Sequence, residues 1–302
     1  MKFNDIKEFK NKINGKLLFD YSLQKLNWFN IGGKAEIYFR PETLKELIDF
    51  LKLYNNRGKI FILGAGSNIL FDDDMFKGVV IKLGKRFSNI SKLKDNVIIA
   101  GSAASDKNLS EFAKTENIGG FEFLSCIPGT IGGGIKMNSG CFNKEFKDIL
   151  ISVQVIDFQG QVLTIPAKKI NFIYRGSNLS KEYIFLSATF KGEKKNKNLI
   201  QKETENLIYQ KELAQPTKIK TGGSTFKNPI NQTKKKVWQL IKESVPMDIS
   251  FGDAKISEKH CNFFINTKKA SSKDMKKLIN FVIKNVKTKT GINLDLEIVI
   301  VK

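Results

Sequence analysis

Residues 119–140 read GGFEFLSCIPGTIGGGIKMNSG. Pro128 fixes one backbone angle and offers no N–H, while Gly129, Gly132, Gly133 and Gly134 allow turns and close approaches that a Cβ forbids. Successive N–H groups in such a turn form an anion nest, so the stretch reads as a loop that grips phosphate through its main chain. It is not a standard nucleotide fingerprint, since G-x-x-x-x-G-K-[ST] is absent and no G-x-G-x-x-G lies nearby. Taken alone, the run leaves a mobile glycine-rich loop equally open.

Upstream, KIFILGAGSNILF (59–71) is a short apolar strand entering a second glycine turn, Gly64-Ala65-Gly66-Ser67-Asn68, where backbone and small polar side chains can meet a phosphate or ribose. NWFNIGGKAEIYFRP (27–41) reads as a strand, a tight turn and a second strand. A helix follows, opened by Pro41, Glu42 and Thr43, with Leu44, Leu47, Ile48 and Leu51 on one stripe. Downstream, SVQVIDF and QVLTI flank Gln159-Gly160 as a hairpin. A polar run over 191–201 suggests a domain boundary. In the last third, Ser272 is expected to cap a helix whose Met275, Leu278, Ile279, Val282 and Val286 share a face and which Gly291 stops. NLDLEIVIV (293–301) reads as a final strand, with Leu294, Leu296, Ile298 and Ile300 on one face and Glu297 on the other.

The chain of 302 residues has room for two or three domains, and 41% hydrophobic with 27% charged residues is globular composition. The balance of 51 Lys+Arg against 30 Asp+Glu, net +21, raises a nucleic-acid reading. The lysines are spread along the whole chain, however, and no helix-turn-helix, zinc-finger or RNP-like motif accompanies them, so a solvated lysine-rich surface is favoured. With a charged start and no long apolar run, a soluble cytoplasmic protein without membrane contact is expected. Three cysteines without metal-ligand or C-x-x-C spacing are expected to be reduced and packed, and no metal site is expected.

In their order and separations, IGGKAEIYFRP, ILGAGSNILF, GFEFLSCIPGTIGGGIKMNSG, FIYRGS, GGSTFKNP, HCNFFIN and LDLE resemble the UDP-N-acetylenolpyruvoylglucosamine reductase (MurB) family. The likeness runs from about Asn27 to Glu297, and the short spacing between FIYRGS and GGSTFKNP matches the shorter subtype. The resemblance implies an α+β fold: a two-subdomain FAD-binding fold of the vanillyl-alcohol-oxidase type (1–80 and 81–197), then a separate α+β substrate-binding domain (198–302). It implies non-covalent FAD held by Gly64, Ala65, Gly66, Ser67, Asn68, Ser125, Pro128, Gly129, Thr130, Gly132, Gly133, Gly134, Asn138 and Gly140. With NADPH as co-substrate, the enolpyruvyl ether of UDP-N-acetylglucosamine would be reduced to UDP-N-acetylmuramate for peptidoglycan, by an enzyme expected to be monomeric.

The catalytic residues implied are Arg175, clamping the enolpyruvyl carboxylate, Ser224, donating a proton, and Glu297, supporting the enolic intermediate. Chemically, a guanidinium holds developing negative charge, a positioned hydroxyl suffices to protonate a carbanion-like carbon, and a half-buried carboxyl can stay protonated and donate. Lys227, Asn228 and His260 correspond to substrate contacts. The chain departs from the pattern at Ser244-Val245-Pro246-Met247-Asp248, at Val299, where a basic residue is common, and at Lys211, where arginine is frequent. An oxidase on the same flavin fold and a basic nucleic-acid-binding protein are the competing readings; a flavin spectrum bleached by NADPH without oxygen separates them.

Overall fold

The computed structural model describes residues 4–55, 57–217 and 219–302. The fold class is α+β, and the chain divides into two compact units. The first comprises Met1–Phe19, Ile37–Ala65 and Lys77–Lys211, the second Asp20–Glu36, Gly66–Phe76 and Glu212–Lys302. This differs from the sequential division read from the sequence. Two early segments belong with the C-terminal third because they supply its core, and the helix Lys197–Ala214 stays with the first unit as far as Lys211.

The first unit has two cores. One lies beneath a four-stranded sheet ordered Lys16–Ser22, Lys34–Arg40, Phe76–Ile81, Lys59–Ile62. The helix Leu44–Tyr54 buries Leu47 and Leu51 of the expected stripe, but Leu44 is exposed and Ile48 half-buried, and Phe50 takes their place in the core, stacked between Phe39 and Tyr54 at 4.2 and 5.6 Å. The Thr43 hydroxyl accepts the Glu46 N–H at 3.2 Å, and Asn55 ends the helix in the left-handed conformation (φ 41°). A cap of this kind stabilises by about 1 kcal/mol.

The other core lies under an antiparallel sheet ordered Val162–Pro166, Leu150–Ile156, Ile184–Lys191, Val97–Gly101, Ile90–Lys94. The first two strands are the expected hairpin. Ile98, Leu109, Phe121, Ile131, Phe146, Val153 and Phe190 are fully enclosed or nearly so beside it.

In the second unit an antiparallel sheet ordered Thr221–Ser224, Phe263–Asn266, Ala254–Ile256, Ser250–Phe251 packs with the helices Val237–Ser244 and Ser272–Thr290. Phe29 closes this core: a Cβ on Gly222 would lie 2.4 Å from its ring, and the Asn266 amide donates to its carbonyl at 2.8 Å. The strand expected just before Gly32 is instead a turn, because the Asn27 amide donates to the carbonyls of Leu23 (3.0 Å) and Ile31 (2.7 Å), folding the chain back on itself. The final strand is also shorter than expected. Only Val299–Val301 is strand, parallel to Ile69–Phe71, while the residues before it bond to the segment after Ser224.

The helix expected to be capped by Ser272 is capped by Ser271, whose hydroxyl accepts the Asp274 N–H at 3.1 Å while Asp274 accepts the Ser271 N–H at 3.0 Å. Ser272 is thereby turned to the Asp72 and Asp73 carboxylates, its hydroxyl 2.7 and 2.9 Å from them. Lys276 Nζ reaches both Asp72 oxygens at 2.9 and 2.8 Å, and Lys276, then Ser272, lowers the Asp72 pKa to about 2. A carboxylate depressed in this way adds stability above its unfolded pKa of 3.8, and that stability is lost as pH falls towards 2. Asp72→Asn is expected to lower the stability of the protein by roughly 1 to 2 kcal/mol at pH 7. Urea titrations of the variant and the wild type should draw together below pH 4 and converge as pH falls through about 2; a constant difference from pH 7 to 2.5 would contradict the assignment.

Candidate active site

In the first unit the two glycine turns meet. A Cβ on Gly64 would lie 2.6 Å from Thr130 Oγ1, so glycine is required where the turns touch. Lys82, a residue that sequence reading missed, donates its ammonium to the Gly64 carbonyl, and burial followed by the nearby Arg40 lowers its pKa. A cation held beside two such turns suits a diphosphate.

The 119–140 loop is a 3-10 turn (Glu122–Cys126), a short helix (Ile131–Met137) and a two-residue strand (Gly140–Cys141). Many of its donors are already spent within the protein: the N–H groups of Gly129 and Gly134 bond to Ile127 and Thr130 of the loop itself, and those of Ile131 and Gly132 to Ala104 and Ser102 outside it, at 2.8–3.0 Å. The nest is therefore narrower than the glycine run suggests. Gly134 is small because the Phe146 ring would be 2.2 Å from its Cβ, and Gly129 because Asp106 Oδ2 would be 2.5 Å away. Over Gly133 a Cβ would meet only Thr130 Oγ1, at 3.5 Å, which leaves room for a ligand to lie against the backbone. This opening, the Thr130 hydroxyl and Lys82 fit a flavin diphosphate, whereas the Ser125 hydroxyl donates to the Glu122 carbonyl at 2.6 Å; Pro128 stiffens the turn.

Asn138 is wholly buried, and its amide is committed to the scaffold. It donates to Glu145 Oε2 at 3.0 Å and to the Ile173 carbonyl at 3.3 Å, and accepts the Lys147 N–H at 3.1 Å. It thus braces the approach to Arg175. Arg175 itself has the left-handed φ of 57°, a conformation costing an ordinary side chain roughly 1 to 2 kcal/mol. Its guanidinium donates to the Gly140 carbonyl at 3.1 Å, lies 3.9 Å from Glu145 and sits over the Tyr174 ring at 4.9 Å. Backbone strain held in place around a cation is a common feature of working sites.

Asp106, not singled out from the sequence, is fully enclosed beside Gly129, and neither carboxylate oxygen has a hydrogen-bond partner among the described residues. Burial drives its pKa well up. For a carboxyl raised in the fold, stability is whole below about pH 4 and is lost as pH rises towards the folded pKa. Asp106→Asn, which cannot ionise, should gain roughly 1 to 3 kcal/mol over the wild type at pH 8. Thermal melts should show the gain vanish near pH 4; an unchanged gain at that pH would refute the account.

In the second unit Ser224 ends the strand Thr221–Ser224, half-buried, directly after Gly223, whose φ of 78° and clear surroundings leave open space. The Glu297 N–H donates to the Thr225 carbonyl at 2.8 Å, so backbone bonding holds the half-buried glutamate beside the residue after Ser224. The Glu297 carbonyl accepts the Asn68 amide at 2.9 Å, and the Asn68 carbonyl accepts the Val299 N–H at 2.9 Å. Asn68 thus anchors Glu297. Gly66 is also structural, since a Cβ there would lie 2.2 Å from the Leu26 carbonyl.

His260 Nδ1 accepts the Asn262 N–H at 3.2 Å, leaving the proton on Nε2, and burial lowers its pKa. It is a neutral donor at pH 7. Asn262 in turn pairs with both backbone groups of Phe226 at 3.0 and 2.9 Å, fixing the strand that carries Lys227. Lys227 is half-buried and its N–H bonds to Asp295. Asn228 accepts the Val237 N–H at 3.0 Å, capping the next helix. Among the described residues, no group of three His, Cys, Asp or Glu is placed to hold a metal, and no helix is long and apolar enough to cross a membrane.

The two glycine turns on an α+β scaffold define a flavoprotein, and residues 35–166 match the FAD binding domain. Residues 215–301 match the UDP-N-acetylenolpyruvoylglucosamine reductase C-terminal domain. A UDP-N-acetylenolpyruvoylglucosamine reductase of Pelagibacter ubique is 63% identical over the whole of both chains, and one of Rickettsia typhi is 44% identical over 95% of this chain and 96% of its own. The crystal structure of the Thermus caldophilus enzyme of that name superposes with a TM-score of 0.81 at 27% identity, covering 96% of this chain and all of its own. The chain belongs to the UDP-N-acetylenolpyruvoylglucosamine reductase family.

Proposed function

We propose that the protein uses NADPH to reduce the enolpyruvyl ether of UDP-N-acetylglucosamine enolpyruvate to the lactyl ether, giving UDP-N-acetylmuramate for peptidoglycan. FAD, which the glycine turns would hold, would supply the hydride chemistry at the terminal carbon of the enolpyruvyl group. Arg175 holds the substrate carboxylate and the charge that develops there. Glu297 donates to the enolate oxygen, and Ser224 protonates the adjacent carbon. Lys227 and the Nε2–H of His260 are assigned to the diphosphate, and the Asn228 amide to the sugar. The observation that carries this reading is the backbone hydrogen bond from the Glu297 N–H to the Thr225 carbonyl, which runs the main chain of Glu297 alongside the residue after Ser224.

Gly64 to Asn68 and the loop from Ser125 to Gly140 are assigned to FAD, Asn138 through its place in the scaffold and not through its committed amide, with Lys82 added on the grounds of its ammonium at the Gly64 carbonyl. The two cores of the first unit correspond on this reading to two flavin subdomains. A cytoplasmic monomer without membrane or nucleic-acid partners fits the spread of its lysines, and its product links it to cell-wall growth, cell shape and division.

Purified protein should be yellow, bleach on anaerobic NADPH, and regain colour when the enolpyruvyl substrate is added. No recovery with the enolpyruvyl substrate under anaerobic conditions, with colour returning only when oxygen is admitted, would end this proposal. The only histidine, His260, lies outside the glycine turns, so the flavin should be held without a covalent bond. After heat denaturation and centrifugation the colour should stay in the supernatant; a yellow pellet would show a covalent link.

A further inference from the structure

Glu145, which has no part in the chemistry so far, faces Arg175 from the short strand Lys144–Glu145. This strand pairs antiparallel with Gly140–Cys141, Glu145 opposite Gly140, the residue whose carbonyl takes the Arg175 guanidinium. Phe142 and Asn143 join the two strands with φ of 50° and 62°, and Phe146 is fully buried with its ring against Gly134. The hairpin is therefore tight at its tip and anchored at its base. Glu145 Oε2 accepts the amide of the wholly buried Asn138 at 3.0 Å and the Lys147 ammonium at 2.9 Å, and the Lys147 N–H donates to Asn138 at 3.1 Å, closing a ring of three residues. The other carboxylate oxygen, Oε1, lies 3.9 Å from Arg175 Nη1.

At 3.9 Å that contact is too long for a hydrogen bond but close for opposite charges, so Glu145 pulls on Arg175 without occupying one of its N–H groups. Gly140 takes Nη2 and Glu145 attracts Nη1, so one hairpin fixes both ends of the guanidinium fork. The left-handed backbone of Arg175 makes such fixing necessary, since a strained residue keeps its posture only where its surroundings determine it. A bare carboxylate in this place would also repel an incoming carboxylate, and the Lys147 ammonium on Oε2 offsets that repulsion. We propose that Glu145, fixed by Asn138 and balanced by Lys147, is a positioning residue that aims the Arg175 guanidinium at the carboxylate of the enolpyruvyl group. The inference rests on the role given to Arg175 above.

Rapid mixing of the FAD-loaded protein tests it. Glu145→Ala should raise the apparent Kd of the enolpyruvyl substrate in flavin reoxidation about tenfold to a hundredfold, the cost of a misplaced binding group. Flavin reduction by NADPH should be almost unchanged, since nicotinamide brings no carboxylate. Glu145→Ala combined with Lys147→Met removes one charge of each sign, so its loss reads orientation alone and should be of the same size. Glu145→Gln keeps an acceptor for Asn138 and should recover part. Phenylglyoxal labelling of Arg175, mapped by mass spectrometry, needs no substrate: the reagent requires a guanidinium that has lost its proton, which a neighbouring carboxylate opposes, so labelling should be several-fold faster in Glu145→Gln than in the wild type. A normal substrate Kd in the double variant, an equal loss in both half-reactions, or unaltered labelling of Arg175 would overturn the proposal. A wild type that the substrate does not reoxidise would instead end the functional reading, and labelling of the isosteric Glu145→Gln would still decide for or against Glu145.

Discussion

Ser224→Ala is expected to leave reduction of the bound flavin by NADPH almost unchanged and to slow its reoxidation by the enolpyruvyl substrate by at least a hundredfold. The first half-reaction needs only access of the nicotinamide and takes no proton from a serine. In the second, the carbon next to the site of hydride delivery must be protonated, and general acid catalysis of this kind contributes roughly 10² to 10⁴ in rate. Ser224 is half-buried at a strand end beside the open space over Gly223, a position where a hydroxyl can be held towards a ligand. Ser224→Cys keeps a donor and should recover part of the loss. Rapid mixing separates the two steps; normal reoxidation in the alanine variant would make Ser224 a turn residue and move the proton donor elsewhere.

Arg175→Lys should cost nearly as much as Arg175→Ala, although the charge is kept. The guanidinium is held flat by the Gly140 carbonyl and the Tyr174 ring, a posture that presents a fork to a carboxylate. An ammonium is a point donor and cannot hold two oxygens in that geometry. Losing one charge-assisted contact at a developing anion costs about 2.7 to 4 kcal/mol, or roughly 10² to 10³ in turnover. Steady-state rates of the two variants within a few-fold of each other are expected; a lysine variant turning over like the wild type would remove Arg175 from the chemistry.

What the sequence made legible was local. The helix after Thr43, the hairpin around Gln159-Gly160 and the end of the last helix at Gly291 follow from spacing and capping, which neighbouring residues decide among themselves. The glycine loop was legible as a place, but not in its parts. Asn138 looks like a ligand-binding amide in the string of letters, yet its groups are spent on Glu145, Ile173 and Lys147, partners that only folding brings to it. Lys82 and Asp106 carried no pattern at all, because their significance is burial beside the glycine turns. The strand expected before Gly32 failed for a related reason: one buried amide, that of Asn27, outbids alternation by bonding its own segment into a turn.

The second unit is assembled from three separated stretches of chain, with Phe29, Ile31 and Leu70 inside a core otherwise built from residues beyond 225. On the ribosome the early stretches must therefore wait, with an aromatic and two aliphatic side chains exposed, until the last strand Val299–Val301 emerges to pair with Ile69–Phe71. The first unit can close around its own cores much sooner. An isolated C-terminal piece cut at residue 212 would lack part of its interior and the parallel partner of its final strand, so it should not fold by itself, and the early stretches are where nascent chains of this protein are most exposed to chaperones and to aggregation.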